Sequence, residues 1–486
     1  MFKRLTIIFF LLFSAFCFSQ NQTKFWYFGN NAGLDFNPGT PSVVTNGSLN
    51  TTEGCSAISD ASGNLLFYTD GVSVWNKNNV VMPNGTGLLG DPSTTQSGLI
   101  VKKPGSVNLY YIFTLPAEGV GDFNFSVVDM SLNAGNGDIT TKNTFIRSNV
   151  TEKLTAVHHC NGTDIWVMIH ESGTNAFSAY PVTATGIGTA VVSNVGGIHT
   201  DVHGQMKFNN NGTKIACIRD TVTQPNPYNG IAYADVLNFN NQTGVVSNPI
   251  ALNLNNAQKA YGLEFSQDNT KLYASYYDVT GINGGNSNII QYNVTATNVA
   301  ASGATVGASF DPDILRALQL GPDGKIYIAK SNTPFLCVIN SPNAAGAACS
   351  YSDNAINLDP NFAGTTAQLG LPGFVTSYFN PAFPAIATCT TSTVTGIYSA
   401  GPIQNTKIYF DNSANRLIVS AEIKETGNFT FEMADLLGRS VYLYKGEVST
   451  GGENNFQFSI PSCITGIYIA KLSIGNSKYQ TKFIKE

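Results

Sequence analysis

The sequence predicts an all-β protein: a repeat-built β-propeller followed by a small Ig-like β-sandwich. A strand–turn–strand unit recurs at Phe208–Ile215, Phe265–Tyr273 and Leu320–Tyr327. Its lysines, Lys214, Lys271 and Lys325, set a period of about 55 residues, the length of a blade of several strands with no helix. Between these units, short apolar runs alternate with turns rich in Gly, Asn, Asp and Ser. The composition agrees: charged residues are only 12%, and 47 glycines serve many turns.

The N-terminus carries the parts of a secretory signal. Lys3 and Arg4 are its charged region and Leu5 to Phe16 its apolar core. Small residues at Cys17 and Ser19 predict a signal of 1–19, cleaved before Gln20. Phe16 is too bulky for lipoprotein processing at Cys17. No other stretch is apolar enough to span a membrane, so the mature chain is expected to lack a transmembrane segment. The formal charge is −5. Without basic clusters, this excludes nucleic acid and anionic membrane as expected partners.

The propeller is expected over 20–385. Phe25–Phe36 is a hairpin about a Gly/Asn turn. Residues 52–75 form one blade, 98–128 a second and 154–180 a third, and the three lysine turns mark the next three. A final run, Phe374–Phe379, has no hairpin of its own, and the first hairpin lacks a preceding strand. Joining them closes a seventh blade and removes open edges. The expectation is seven blades, with six as the alternative. Cleavage leaves seven cysteines, an odd number, and none is in a metal-finger spacing. Cys337 and Cys349 make the best disulfide pair, because Ser341-Pro-Asn between them can turn the chain back.

Residues 386–403 read as a linker rich in Thr, Ser, Gly and Ala. Beyond it, seven short strand-like runs over 404–486 predict the sandwich. Four motifs stand out there: Ala414–Leu417, Asp435–Arg439, Gly466–Leu472 and Lys482–Lys485. Together they resemble the type A C-terminal sorting domain of the type IX secretion system of Bacteroidetes. One turn departs from the family: Asp411-Asn-Ser413 stands where Pro-Asn-Pro is common. The resemblance implies that the type IX machinery is a partner. It also implies a cell-surface or extracellular location, with Leu437, Gly438, Arg439, Gly466, Ile467, Tyr468, Lys482, Phe483 and Ile484 as the sorting motif. The N-terminal part resembles a propeller-type module found beside such domains, through Trp26–Gly29, Leu34–Phe36, Glu53–Ser56, Phe67–Gly71 and Trp75-Asn76. That likeness implies a fold and a setting, not an activity.

Chemistry is less legible. All five histidines lie between 158 and 203. His199-x-Asp201-x-His203 on an extended segment would share one face and could hold a divalent metal, although strand-end histidines commonly just bond nearby backbone. Asp60, Asp70, Asp220, Asp311 and Asp313 could serve a glycosidase at a channel mouth, although turn capping explains most of them. No phosphate loop, dinucleotide fingerprint, G-x-S-x-G or H-E-x-x-H motif is present. Tyr276-Tyr277, Pro225–Asn229 and Gly281–Asn286 are suited to contacts with sugars or protein surfaces. The expected function is non-catalytic binding or adhesion by an exported propeller, with carbohydrate or a surface protein as ligand. The alternative is a polysaccharide hydrolase or lyase. Carboxylates converging on one mouth would favour the enzyme.

Overall fold

The structure is a computed structural model of the chain. It describes residues 21–485 except 224–225, 256, 258, 278–286, 311–313, 383–388, 390–402, 412–415, 424–425, 436–438, 449–451, 460–465 and 476. The signal segment and most of the linker therefore lie outside the described residues. The chain divides into two compact units, Met1–Cys389 and Thr390–Glu486.

The first unit contains seven sheets of three to five strands among the described residues. The first is Phe25–Phe28, Ala32–Asp35 and Ser42–Val44. Gly29 and Asn31, both at positive φ, make its hairpin turn. The other six sheets open with Cys55–Ser59, Gly98–Lys102, Val150–His158, Met206–Phe208, Lys259–Phe265 and Leu315–Leu320. In the later sheets, chain neighbours are mostly sheet neighbours. The repeated lysine turns are local polar devices. Asn209 Oδ1 accepts from the Thr213 and Lys214 amides, and Ser266 Oγ accepts from Lys271 N. Asp323 Oδ1 takes the equivalent role for Lys325 N.

The six opening strands lie side by side in chain order. Their facing edges would leave amides unpaired, and side chains fill that need. Gln96 Oε1 accepts from Leu154 N at 3.1 Å and Met206 N at 2.9 Å. Gln205 Oε1 accepts from Leu263 N and Leu318 N, each at 3.1 Å. Ser56 Oγ accepts from Ile100 N at 3.2 Å, and Glu264 Oε2 from Leu320 N at 3.1 Å. The first and seventh sheets also touch. Trp26 and Phe36 each meet Tyr327 edge-on at 5.4 Å between ring centres.

Residues 366–380 thread between these strands. Thr366 bridges Asn30, Leu369 N donates to Thr52 O, and Pro372–Gly373 pairs in parallel with Cys55-Ser56. Val375 then bridges Ala156, and Ser377 Oγ sits 2.7 Å from His158 Nδ1. Burial leaves His158 mostly neutral, its pKa lowered to about 3. The expected Phe374–Phe379 strand is therefore different in form. Thr376–Phe379 is a short 3-10 turn, and contact with the first hairpin comes through the Asn30–Thr366 bridge and the Trp26–Phe374 ring pair. Its apolar residues are buried by several sheets at once, so no strand partner is needed to cover them.

The disulfide expectation is overturned. Cys160 pairs with Cys389, across 229 residues. Cys337 and Cys349 are both free. The Cys337 thiol meets Asp353 Oδ1 at 3.0 Å from mid-strand, and Cys349 is buried at the end of the Gly346–Cys349 turn.

Among the described residues the second unit has two sheets. One is Ile403–Asp411, Arg416–Ile423 and Gly452–Ser459; the other is Gly427–Asp435, Ser440–Val448, Gly466–Ile474 and Ser477–Lys485. They share one core, in which Leu417, Val419 and Phe458 meet Phe431, Met433 and Leu472. Phe431 stacks on Phe458 at 4.4 Å.

Opening the Cys160–Cys389 bridge frees a very long loop in the unfolded chain. Cys160→Ser should destabilise the first unit by about 2–4 kcal/mol. Thermal unfolding of the variant, and of wild type with and without reductant, measures this; unchanged midpoints in both would contradict it.

Candidate functional site

The N-terminal ends of the opening strands gather a cluster of charged residues. Glu53 precedes Cys55–Ser59, and Glu152 is the third residue of Val150–His158. Asp201 and His203 precede Met206–Phe208. Lys259 and Tyr261 begin Lys259–Phe265, and Arg316 is second in Leu315–Leu320. One geometric end of the strand set thus collects groups that are far apart in sequence.

Glu152 is fully buried. Its Oε2 accepts from Thr95 N and Thr95 Oγ1, both at 2.8 Å, and its Oε1 from Glu118 N at 2.9 Å. Three donors explain how a carboxylate can be kept there. Lys153, next in the strand, donates to the Val202 carbonyl at 2.8 Å and to that of His203. It fixes the loop that presents His203.

His203 lies at the centre of the cluster and is partly exposed. Its Nδ1 is 2.6 Å from Asp201 Oδ1, and its Nε2 is 3.3 Å from Glu118 Oε1 and 3.7 Å from Glu152 Oε1. The Asp201 hydrogen bond is the largest cause of its pKa rising to about 9, against burial, so the ring is a cation near neutrality. Burial alone would raise the Asp201 carboxyl. The His203 hydrogen bond and the Lys259 ammonium, 2.6 Å away, outweigh it and hold Asp201 well below the usual range. Lys259 also lies 3.6 Å from Asp220, whose carboxyl is pushed up to about 7 by burial and by the charge of Asp201.

Glu53 forms the other side. Its Oε2 accepts the Tyr261 hydroxyl at 2.8 Å. Burial raises its pKa to about 7; Tyr261, His203 and Arg316 pull it down, while Glu152 pushes it up. The Arg316 guanidinium lies 4.4 Å from the Tyr277 ring centre and 5.6 Å from that of Tyr261. Its Nη1 donates to the Tyr277 hydroxyl at 2.5 Å.

The predicted metal group divides. Asp201 and His203 meet, but His199 is buried, stacked on His170 at 3.8 Å between ring centres. Burial holds both of those rings below the ordinary histidine range. The donor set that does converge on His203 is Glu118 and Glu152, with Asp201 behind the ring. Of the aspartates, Asp60 and Asp70 cap their own turns. Asp311 and Asp313 lie outside the described residues, as do Gly281–Asn286. Of Tyr276 and Tyr277, the first bonds Asn255 and the second faces Arg316. Glu53, Glu118, Glu152, Lys259 and Arg316 were not singled out as chemical candidates by sequence reasoning. The usable signal was positional: all but Glu118, on a loop, stand within a few residues of where an opening strand begins.

In the second unit, Arg439 closes its hairpin on Asp435, with Nε 2.7 Å from Oδ2. Leu437 and Gly438 lie outside the described residues. Gly466, Ile467 and Tyr468 start one strand, and Ile484, Phe483 and Lys482 in the last strand pair with Ile467, Tyr468 and Ile469. The two terminal motifs are therefore one paired ribbon.

Comparisons with known proteins fall into two parts. No curated protein matches the sequence. Solved structures do. A candidate 6-phosphogluconolactonase of Bacteroides fragilis is 13% identical with a TM-score of 0.46, over 71% of this chain and 96% of that one. A similar Bacteroides uniformis protein is 12% identical with a TM-score of 0.45, over 71% and 96%. A quinoprotein alcohol dehydrogenase-like protein of Bacteroides thetaiotaomicron is 13% identical with a TM-score of 0.36, over 66% and 73%.

The charged cluster has a definite pH signature. Glu53 and Asp220 keep their protons to about pH 7 when folded and lose them near pH 4 when unfolded, so their contribution to stability falls as pH rises between those values. His203 contributes fully below about pH 6.5, and that contribution is lost as pH rises through about 9. Denaturant unfolding across pH should show Glu53→Gln and Asp220→Asn flattening the first interval and His203→Gln the second. Parallel profiles for variants and wild type would contradict the arrangement.

The family model for the secretion system C-terminal sorting domain matches residues 411–486, and with its paired terminal motifs this chain carries such a domain, the address of a type IX secretion substrate.

Proposed function

We propose that the protein is an exported carbohydrate-binding propeller of seven blades, its ring closed where the first and seventh sheets meet, and that the charged end of its opening strands is the binding mouth. The observation carrying the binding reading is how the acids there are occupied. Glu152 is held by three donors, Asp201 by His203 and Lys259, and Glu53 by Tyr261. The acids brace the mouth, while His203, Glu118, Tyr277 and Arg316 remain partly or fully exposed to meet a hydroxyl-rich ligand. The Trp26–Tyr327 and Phe36–Tyr327 contacts support closure. The seven sheets support the blade count.

One observation favours a second reading, a polysaccharide hydrolase or lyase. Glu53 and Asp220 each hold a proton near neutral pH, the condition required of a general acid. Incubating mature protein with a panel of glycans separates the two. Retention of a glycan without new reducing or unsaturated ends supports binding. Release of such ends, abolished by Glu53→Gln, supports the enzyme.

Export is proposed to depend on 404–486 as a separate unit, with 386–403 as its tether and 20–385 folding alone. Deleting 404–486 should leave a folded first unit in the periplasm. Normal export of that truncation in its host would refute the dependence.

A further inference from the structure

We propose that Arg316 binds the oxyanion of an acidic glycan, making the mouth selective for sugars that carry carboxylate or sulfate. This rests on the carbohydrate-binding reading and adds the class of sugar.

Arg316 differs from the other cations of the mouth. His203 has Asp201, and Lys259 has Asp201 and Asp220. Arg316 has no carboxylate within salt-bridge distance among the described residues, and its protein partner there is the neutral Tyr277 hydroxyl. Its Nε is buried and donates to no acceptor among the described residues. A guanidinium has five N–H donors in a planar fork and cannot shed its charge, so a buried unmet donor is costly. The Tyr277 and Tyr261 rings lie against the guanidinium, and ring faces compensate a cation only weakly.

Two neighbours of Arg316 lower the cost of an arriving anion at that point. Glu53, within electrostatic reach of Arg316, is raised to about 7 by burial, so near neutrality it carries less than a full negative charge. Lys259 lies within reach of Tyr277, on the same side. A planar carboxylate or a sulfate can take two parallel N–H bonds from such a fork. Neighbouring sugar hydroxyls would face the partly exposed Tyr277 hydroxyl.

The test uses the mature full-length protein and calorimetry with three probes of equal length: an oligouronate, its methyl ester and a sulfated neutral oligosaccharide. Wild type should bind an oxyanion-bearing probe ~10-fold or more tightly than the ester. Arg316→Gln should erase that difference, read as the ratio of acid to ester affinity within the same variant. Arg316→Lys keeps charge but not the fork and should recover only part of it. Melting curves check that both variants fold; if Arg316→Gln does not, Arg316→Lys decides. The better of the carboxylate and sulfate probes identifies the group. Equal binding of ester and acids by wild type overturns this inference and leaves carbohydrate binding standing. An unchanged preference in the folded variants overturns the role of Arg316. No binding of any glycan removes both readings.

Discussion

A sheet that stops in the middle of a protein has an edge, and among the described residues the first unit has six opening strands whose edges face one another. Each edge carries backbone N–H groups that need an acceptor away from water. Among the described residues no α-helix covers them. The chain solves this with side-chain amides and hydroxyls. One Gln96 oxygen serves two neighbouring sheets, and one Gln205 oxygen serves two more. Pro372–Gly373 completes another edge with backbone. The side-by-side order of the sheets depends on these few acceptors. So does the convergence of charge at one end, because the same strands that are stitched together carry the mouth residues.

Much of this fold was legible because turn chemistry is local. Asn209, Ser266 and Asp323 each cap the turn they sit in, so the repeat could be read without knowing what the sheets pack against. What was not legible was long-range. Phe374–Phe379 is an apolar run, and an apolar run shows burial but not its partner. Buried by several sheets at once, it became a short turn rather than a strand. Cys160 and Cys389 gave no signal either, since spacing says nothing about two residues joined across 229 positions. The Cys337–Cys349 choice relied on proximity in sequence, and in the fold the Cys337 thiol meets Asp353 instead.

The charged cluster shows the same limit. Asp201 and His203 stood out because they are two residues apart, and they do meet. His199, two residues earlier, packs with His170 in the interior instead. Glu53, Glu152, Lys259 and Arg316 come from four sheets and form no local pattern. The sorting motifs were legible as a set because the terminal strand pairs with the strand just before it. Their spacing in sequence is the register of one hairpin.

The position of the disulfide has a mechanical meaning. Cys389 is the last residue of the first unit, and everything that follows leads to the sorting domain. Any pull applied through that domain reaches Cys389 before it reaches residues 366–380. At Cys389 the load passes through the sulfur bridge into Cys160, next to the Val150–His158 strand. Residues 366–380, held by hydrogen bonds and side-chain contacts, are thereby shielded from being drawn out along their own length. A pull on the tail of the chain is thus met by a covalent bond, and the sheet that carries Cys160 takes the load in place of residues 366–380.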